Sequence, residues 1–307
     1  MDALLGRFVG VGIYQDNIYL KGETPDIYCT LLSQVLLRSL SDAGLRVNAA
    51  KCTWAASELT VLGYRFSCEG LHPAPDKLLA IKGAPPPRCK RGLQAVLGLI
   101  SFYGRFFRGK AHHLEPLHRL LDDGVEWQGS AEHEHALQTV KDLLTSDAVL
   151  VHYSLQNPVT LTCDASPVRL GTVISHPEVD ASTGETYDRP IAFASRTLSG
   201  AERRCAQLDQ EALGVVFGVR KIRQFLQDRH FDIITDHKPL LGIFKQGVDT
   251  SDALSPRMLR WALLIGSLDC YVKHKPGKDI GNADFLSRLP LAADGGAIVS
   301  PEPAGVH

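Results

Sequence analysis

The sequence lacks the features that mark secreted, zinc-binding and membrane proteins. Its seven cysteines stand singly, at positions 29, 52, 68, 89, 163, 205 and 270, without a Cys-x-x-Cys pair. This spacing argues against a disulfide framework and against a thiolate zinc site. No apolar run reaches the roughly 18 residues of a membrane span, and the N-terminus lacks the regions of a secretory signal. We therefore expect a soluble, intracellular protein without membrane contact, in either the cytoplasm or the nucleus.

Net charge is also small, at −1 over 307 residues, but positive charge is concentrated in one segment. Residues 73–120 contain nine Lys and Arg against two acids, a net of +7 over 48 residues. A surface facing phosphates and an ordinary solvated helix face both fit this composition. The hydrophobic fraction of 44% is enough for real cores in two or three modules.

The first half of the chain reads as short strands followed by helices. Residues 7–20 predict two strands around a turn at Gln15-Asp16-Asn17, and a helix is expected at about 26–43, ending at Gly44. LRVN and LTVLGYRFS, within residues 45–71, read as strands. A Pro-rich stretch at 84–88 then marks a boundary before three expected helices. These helices fall at about 90–107, 111–122 and 130–146, the last with Ser130 as N-cap.

The second half alternates strands with helices. The strands are VTLTCD, LGTVIS, RPIAFASR, FDIIT and DCYVKHK. A long helix is expected from a capping box at Ser199-Gly-Ala-Glu202, and another at about 255–267. The order β-β-β-α-β-α-β-α predicts a mixed sheet with helices packed on it. The small, Pro/Gly-rich tail from Ala292 is expected to be disordered.

Four acids in this half lie in or beside apolar elements, where an unpaired charge is costly. Asp164 ends the first strand, Asp236 follows FDIIT, and Asp284 begins the last helix. Glu211 lies within the apolar stripe of the long helix, formed by Cys205, Leu208, Ala212, Val215, Val219, Ile222 and Leu226. Converging carboxylates need neutralisation, and paired Mg²⁺ ions supply it while activating water against a phosphodiester. The pattern predicts a nuclease site. An N-terminal helix charge remains open for Asp284, and an Arg pair for Glu211.

Several long segments resemble one family. TLTCDASPVRLGTVISH, RPIAFASRTLSGAERRCAQLDQEALGVVFGVRKIRQFL, FDIITDHKPLLGIF and VKHKPGKDIGNADFLSRLP resemble the RNase H domain of gypsy-type LTR retroelement Pol polyproteins. Upstream, VLGYRFSCEGLHPAPDKLLAI, LQAVLGLISFYGRFF and AHHLEPLHRLL resemble the palm end and thumb of the same family's reverse transcriptase. The resemblance runs over about residues 7–290.

The resemblance implies an α/β (α+β) protein in several parts. These are a truncated palm remnant at 1–72, a thumb- or connection-like helical region at 73–155, an RNase H-like domain at 156–290 and a disordered tail at 291–307. The RNase H-like domain is expected to hold a mixed five-stranded sheet with flanking helices. By position, Asp164, Glu211, Asp236 and Asp284 match the family's metal-binding catalytic acids.

The activity that the resemblance implies is hydrolysis of the RNA strand of RNA–DNA hybrids with two Mg²⁺ ions, for which Mn²⁺ can substitute. Asp164 and Asp284 would hold the first ion, and Asp164, Glu211 and Asp236 the second. Ser166 and His237 are candidates for reading the RNA 2′-OH, although a local capping role fits each equally well. The basic side chains of Arg220, Lys221 and Arg223 would contact the hybrid's backbone.

Three further assignments carry open alternatives. Tyr103, Phe106 and Phe107 could stack on nucleic acid, but an aromatic cluster on an amphipathic helix is more often core. His274 could assist product release or lie on the surface as an ordinary polar strand residue. Val168 and Arg169 replace residues that are often aromatic and Gly in the family, and Arg169 could disturb the turn between the first two strands, although it lies outside the four acids.

The polymerase motif departs from the family. Tyr14, Gln15 and Asp16 match a Tyr-x-Asp-Asp turn, but Asn17 replaces the second Asp, and an amide is a weaker Mg²⁺ ligand. Only thirteen residues precede Tyr14, which leaves no room for the fingers or for the other catalytic strand. We therefore expect no DNA synthesis by this chain alone.

Three functions remain in competition at this point. The first is an active RNase H-type endonuclease with a polymerase remnant. The second is a non-catalytic nucleic-acid-binding remnant of a Pol protein. The third, a subunit that completes another chain's polymerase, has no support in the sequence. Protein partners are unknown, and protease, integrase and zinc-knuckle signatures are absent from the sequence.

Overall fold

The computed structural model describes residues 1–106, 110–122, 124–145, 149–179, 184, 186–245 and 254–277. It divides into two compact units, Met1–Ala56 and Ser57–His307. Residue 72, the first boundary expected from the sequence, lies inside a strand of the second unit, Leu71–Pro73. The boundaries at 72, 155 and 290 stay predictions. None of the described helices is both long enough and apolar enough to cross a membrane.

The first unit is a hairpin with helices. Strands β1 (Val11–Tyr14) and β2 (Asn17–Leu20) pair antiparallel, and helix α1 (Asp2–Leu5) precedes them. Helix α2 (Pro25–Leu32) continues into a π-helical segment, Ser33–Leu40, and the chain turns at Gly44 with φ +69°. Its small core comprises Leu5, Leu31, Val35 and Leu40.

The second unit begins with a three-stranded antiparallel sheet and four helices. The strands are β3 (Leu59–Val61), β4 (Tyr64–Phe66) and β5 (Leu71–Pro73). The helices are α3 (Pro75–Gly83), α4 (Lys90–Phe102), α5 (Lys110–Arg119) and α6 (Ala131–Thr145). We call residues 75–145 the helical region. Its helices share one core with Leu150 and, at its edge, with Phe193 of the next sheet.

Five strands of the described chain form a mixed sheet. They are β6 (Thr160–Ala165), β7 (Arg169–Val179), β8 (Thr186–Thr197), β9 (Phe231–Thr235) and β10 (Cys270–His274). The order across the sheet is β10-β9-β6-β7-β8, with β6 parallel to β9 and antiparallel to β7. β6 is therefore central, and every one of its residues is buried. This is the five-stranded mixed sheet that the sequence predicts.

Helices pack on this sheet through its apolar side chains. They are α7 (Gly200–Arg203), α8 (Gln207–Lys221), α9 (Arg223–Leu226), α10 (Pro239–Ile243) and α11 (Pro256–Gly266). Ala212, Val215 and Val219 of α8 join Leu161 and Ile233 in the core. Gly218 allows close approach, because an added Cβ there would lie 2.8 Å from Cys163 Sγ and from Thr172 Oγ1.

The structure corrects one expectation about helices and adds one helix that was not predicted. The capping box at Ser199 is present, but the helix it opens ends at Arg203, and α8 begins only at Gln207. The chain between the two helices is held by Gln210, whose Nε2 donates hydrogen bonds to the carbonyls of Glu202 and Arg203, each at 3.1 Å. Helix α3 is an addition. Pro75 was a usable signal for its start, because proline is favoured at the first helical position.

One local expectation in the loops also fails. LRVN, residues 45–48, is not a strand. The Asn48 side chain accepts a hydrogen bond from the N–H of Ala50 and opens a 3₁₀ turn, Ala49–Lys51, so local capping displaces the extended pairing. Arg169, which the sequence marks as a residue that could disturb its turn, is hydrogen-bonded within it. Its N–H donates to Ser166 Oγ at 3.0 Å, and its carbonyl accepts from the N–H of Ser166 at 2.9 Å.

Candidate metal centre

Two of the four predicted acids meet because their strands are parallel neighbours. Thr162 of β6 lies opposite Ile234 of β9. Continuing that register by two residues brings Asp164 beside Asp236, at the carboxyl ends of both strands. Neighbouring strands lie about 4.8 Å apart, so side chains at adjacent strand ends can share one site. Asp164 is buried, whereas Asp236 is partly exposed.

Helix α8 supplies the third acid. Glu211 lies near the N-terminal end of α8, where the helix dipole favours negative charge, and it is buried. Gln207, one turn earlier, donates a hydrogen bond from Nε2 to Glu211 Oε1 at 2.6 Å and so orients the carboxylate. An added Cβ at Gly214 would stand 3.6 Å from the carbonyl oxygen of Asp164. Close packing of helix on strand thus brings Glu211 to the strand ends.

The three carboxylates form one cluster. Each of Asp164, Glu211 and Asp236 offers a ligand oxygen, and these atoms all lie within 4.8 Å of one another. At that separation two unit charges repel by about 3 kcal/mol at an effective dielectric constant of about 20, so three ionised groups need a counter-charge. An all-oxygen donor set suits hard cations such as Mg²⁺, Mn²⁺ and Ca²⁺.

The neighbouring thiol does not extend the donor set. Burial raises the pKa of Cys163 to about 12, and the charges of Asp164 and Glu211 add to this effect. The thiol therefore stays protonated at neutral pH, and it is the thiolate that binds metals. Its sulfur lies 3.4 Å from Thr172 Oγ1, within the sheet. The cluster is carboxylate only among the residues that the structure describes.

The remaining predicted site residues fall in different environments. Asp284 lies outside the described residues. Ser166 is buried, and its hydroxyl accepts from the N–H groups of Val168 and Arg169, which supports the local capping interpretation. His237 follows Asp236, and its N–H donates to Thr235 Oγ1 at 3.2 Å. His274 lies opposite Thr235 in the strand register, one residue before Asp236.

The basic candidates are exposed, whereas the described aromatic candidates are buried. Arg220 and Lys221 are exposed at the end of α8, and Arg223 is exposed at the start of α9. Lys221 lies about 15 Å along the helix axis from Glu211. Tyr103 and Phe106 are buried in the core of the helical region, as the core interpretation predicts. Phe107 lies outside the described residues. Burial raises the pKa of Tyr103 to about 12, and its hydroxyl donates to the carbonyl of Gly63 at 2.8 Å.

The polymerase-like motif forms the expected hairpin turn. Tyr14 ends β1 and Asn17 begins β2, with Gln15 and Asp16 between them. Gln15 adopts φ +53°, as tight turns often require. All four side chains are exposed. Within the part of the chain described, Asp16 belongs to no group of three metal-ligating side chains.

Sequence reasoning missed the contacts that support the cluster. Gln207 was not singled out, although its position one turn before Glu211 was a usable signal. The sequence marked Arg169 only as a departure from the family pattern. Its partner Glu115 was counted only as one of the two acids in residues 73–120. Arg169 is fully buried, and its Nη2 lies 2.9 Å from Glu115 Oε2 of α5. No local pattern connects two residues 54 positions apart.

Comparison with known proteins agrees with this geometry. Residues 154–268 match the RNase H-like domain found in reverse transcriptase. The Retrovirus-related Pol polyprotein from transposon opus of Drosophila melanogaster is 32% identical over 304 residues, covering 94% of this chain and 29% of that protein. The chain is homologous to a segment of retrotransposon Pol polyproteins. Transposon Tf2-7 polyprotein of Schizosaccharomyces pombe is 27% identical over 278 residues, covering 90% of this chain and 20% of that protein.

Solved structures share the fold of this chain. The foamy viral protease-reverse transcriptase in complex with RNA/DNA hybrid superposes with a TM-score of 0.76 at 21% identity, covering 99% of this chain and 39% of that one. The foamy viral protease-reverse transcriptase dRH in complex with ds DNA superposes with a TM-score of 0.75 at 21% identity, covering 89% of this chain and 47% of that one. The predicted α/β fold of the reverse transcriptase and RNase H type is confirmed. The chain spans less than a third of the polyproteins it matches.

Proposed function

We propose that the RNase H-like domain is a divalent-metal-dependent endonuclease that hydrolyses the RNA strand of RNA–DNA hybrids. The observation that carries the proposal is the convergence of Asp164, Glu211 and Asp236 within 4.8 Å, from three separate elements. Two of these acids are buried, where carboxylates are rare unless paired or bound to a metal. Asp284 belongs to the proposal by sequence position alone.

The side chains present have distinct roles in this proposal. Asp164, Glu211 and Asp236 would hold the metal, and Gln207 keeps Glu211 oriented by its 2.6 Å hydrogen bond. When bound, Mg²⁺ supplies a water of lowered pKa and neutralises charge on the leaving oxygen. Glu211 lies near the start of α8, and Asp164 lies in the buried strand β6. These two elements hold both carboxylates in place without a bound ligand.

A nucleic-acid duplex is the substrate that the surroundings favour. Exposed Arg220, Lys221 and Arg223 lie on or just after the helix that carries Glu211, at a distance suited to phosphates flanking the scissile one. Selection of RNA requires a group near the cluster that reads the 2′-OH, and His237 is the candidate left exposed enough to do so. A foamy viral relative in fold was solved with an RNA/DNA hybrid, which supports the same class of ligand here.

The first test is Mg²⁺-dependent cleavage of a labelled RNA–DNA hybrid. We expect Asp236→Asn to lose at least about 100-fold in rate, because losing a direct ligand costs more than the 10–100-fold typical of supporting residues. Asp232→Asn is the matched control, since Asp232 lies on the same strand but pairs with Lys273 at 2.7 Å, away from the cluster. That control should cleave normally. Duplex DNA and duplex RNA should stay intact.

Two outcomes would contradict the proposal. Equal cleavage by wild type and Asp236→Asn would place the activity elsewhere. Hybrid binding without cleavage by either protein would favour the non-catalytic binding function. We also infer that the Tyr14–Asn17 hairpin does not support DNA synthesis, because Asn17 stands where a second carboxylate is needed. Primer extension by this chain would contradict that inference.

A further inference from the structure

A buried ion pair links the helical region to the turn that follows Asp164. Arg169 is 0% exposed, and its guanidinium contacts the Glu115 carboxylate of α5 at 2.9 Å. A buried guanidinium left without its partner costs several kcal/mol, so the carboxylate determines where this side chain lies. Arg169 is thereby fixed to a helix that precedes the sheet by more than forty residues in the chain.

Glu115 is suited to remain ionised in this position. Burial alone would raise its pKa, but hydrogen bonds from Arg119 and Arg169, together with their charges, hold the pKa of Glu115 below its ordinary value. Arg119 takes the other oxygen at 2.9 Å from the surface side, and Arg203 approaches the same oxygen at 3.8 Å. The Glu115 carboxylate therefore connects α5 with one arginine of β7 and one of α7.

The backbone of Arg169 closes the turn that leads out of Asp164. Its N–H and carbonyl exchange hydrogen bonds with Ser166, whose own position follows Asp164 by two residues. Arg169 begins β7, and Gly171 of the same strand lies opposite Asp164. A displacement of Arg169 would therefore move the strand end that carries the metal-binding carboxylate.

A second contact holds α5 to the same row of the sheet. The N–H of Ala111, in the first turn of α5, donates to Ser195 Oγ of β8 at 3.1 Å. Ser195 lies opposite Gly171, and Gly171 lies opposite Asp164. Helix α5 is thus attached at the strand row of Asp164 and again at the turn beyond it.

We propose that Arg169 is a positioning residue that, through Glu115, fixes the Asp164 turn to α5, so that metal affinity at the acid cluster depends on the helical region. The proposal rests on the metal-binding role of Asp164, Glu211 and Asp236 in the proposed function. It assigns a role to an arginine that the sequence marks only as a departure from the family.

The test is Mn²⁺ binding to the full chain, measured by electron paramagnetic resonance and calorimetry. We expect Arg169→Met and Glu115→Gln each to weaken Mn²⁺ binding by about 10–100-fold, as loss of a supporting contact typically does. The double variant should be no weaker than the worse single variant, because both changes break one contact. It also removes both charges, so it remains testable if an unpaired Arg or Glu prevents folding.

Arg119→Met is the matched control. Arg119 contacts the other oxygen of the same carboxylate, but its side chain is 65% exposed. The Mn²⁺ affinity of this variant should stay within about twofold of wild type, because Arg119 lies mostly in solvent and the buried contact between Glu115 and Arg169 remains. Hydrogen exchange of residues 164–171 should accelerate in the double variant and not in this control.

The outcomes separate positioning from simple stabilisation. A folded double variant with lower unfolding free energy but wild-type Mn²⁺ affinity would overturn the proposal. Wild-type protein that binds Mn²⁺, with binding lost in Asp236→Asn, yet cleaves no hybrid would overturn the proposed nuclease function and leave this inference standing. Wild-type protein that binds no Mn²⁺ would overturn both.

Discussion

Gly218 shows how one missing side chain governs the contact between α8 and the sheet. A Cβ there would meet Cys163 Sγ and Thr172 Oγ1, each at 2.8 Å, a distance that real Cβ contacts do not reach. We expect Gly218→Ala to destabilise the protein by about 1–3 kcal/mol through overpacking, which exceeds the roughly 1 kcal/mol gained in helix propensity.

Gly98 provides the control for this prediction. It lies in the interior of α4, and an added Cβ would meet nothing within 4 Å. Gly98→Ala should therefore stabilise the protein by up to about 1 kcal/mol. Urea unfolding of both variants measures the two effects. Stabilisation by Gly218→Ala would show that α8 lies farther from β6 than the structure places it.

The carboxylate of Glu202 makes the stability of the fold depend on pH. Its carboxylate takes two hydrogen bonds from Arg196, at 2.7 and 2.8 Å, and one from the N–H of Ser199. These contacts, led by Arg196, lower the pKa of Glu202 from 4.5 to about 2. A group whose folded-state pKa is depressed stabilises the fold above its unfolded pKa, and that stabilisation is lost as pH falls through the folded value.

We therefore expect part of the acid destabilisation, between about pH 4.5 and about pH 2, to come from Glu202. Glu202→Gln should lower the unfolding free energy at pH 7 and flatten its decline over that interval. Denaturant unfolding at a series of pH values measures this. Glu132→Gln, at an exposed position in the first turn of α6, controls for loss of one carboxylate. An unchanged pH profile in Glu202→Gln would contradict the assignment.

At the scale of elements, helix α5 depends on a strand residue for its cap. Ser195 of β8 accepts from the N–H of Ala111, one of the donors that a helix N-terminus leaves without an intrahelical partner. We expect Ser195→Ala to cost about 0.5–2 kcal/mol, the range for a lost N-cap.

Thermal and urea unfolding measure that cost. Ser101→Ala, at an exposed position of α4, should stay within about 0.5 kcal/mol of wild type. Equal stability of the Ser195 and Ser101 variants would mean that water caps α5 as well as the hydroxyl does.

At the scale of the whole molecule, the two units have cores of very different size. The unit 1–56 buries a cluster built on Leu5, Leu31, Val35 and Leu40, whereas the second unit holds the extended cores of the helical region and of the five-stranded sheet. A unit of about 60 residues buries a smaller fraction of its surface and is marginally stable.

We expect the first unit to open at lower free energy than the second. Amides of β1 and β2 should exchange hydrogen before those of β6 and α8, as followed by mass spectrometry on the full chain. A chain that begins at Ser57 should keep the protection of β6. Simultaneous exchange of all four elements in one cooperative event would contradict this division.

The sequence alone determined the elements whose causes are local. Alternating apolar residues specify β6 and β9, and the Ser199 capping box sets the start of α7. The positions of Asp164 and Asp236 at strand ends followed directly, which is why two of the four acids could be expected to meet. Motif order was enough to predict the five-stranded sheet.

Tertiary structure decided the features that depend on residues far apart in the chain. Burial of Arg169 is possible only because α5 brings Glu115, 54 positions earlier in the chain, to it. This contact has no local periodicity, so it is not visible in the sequence. The convergence of Glu211 with the two aspartates within 4.8 Å has the same origin, since packing of a helix on a sheet sets it.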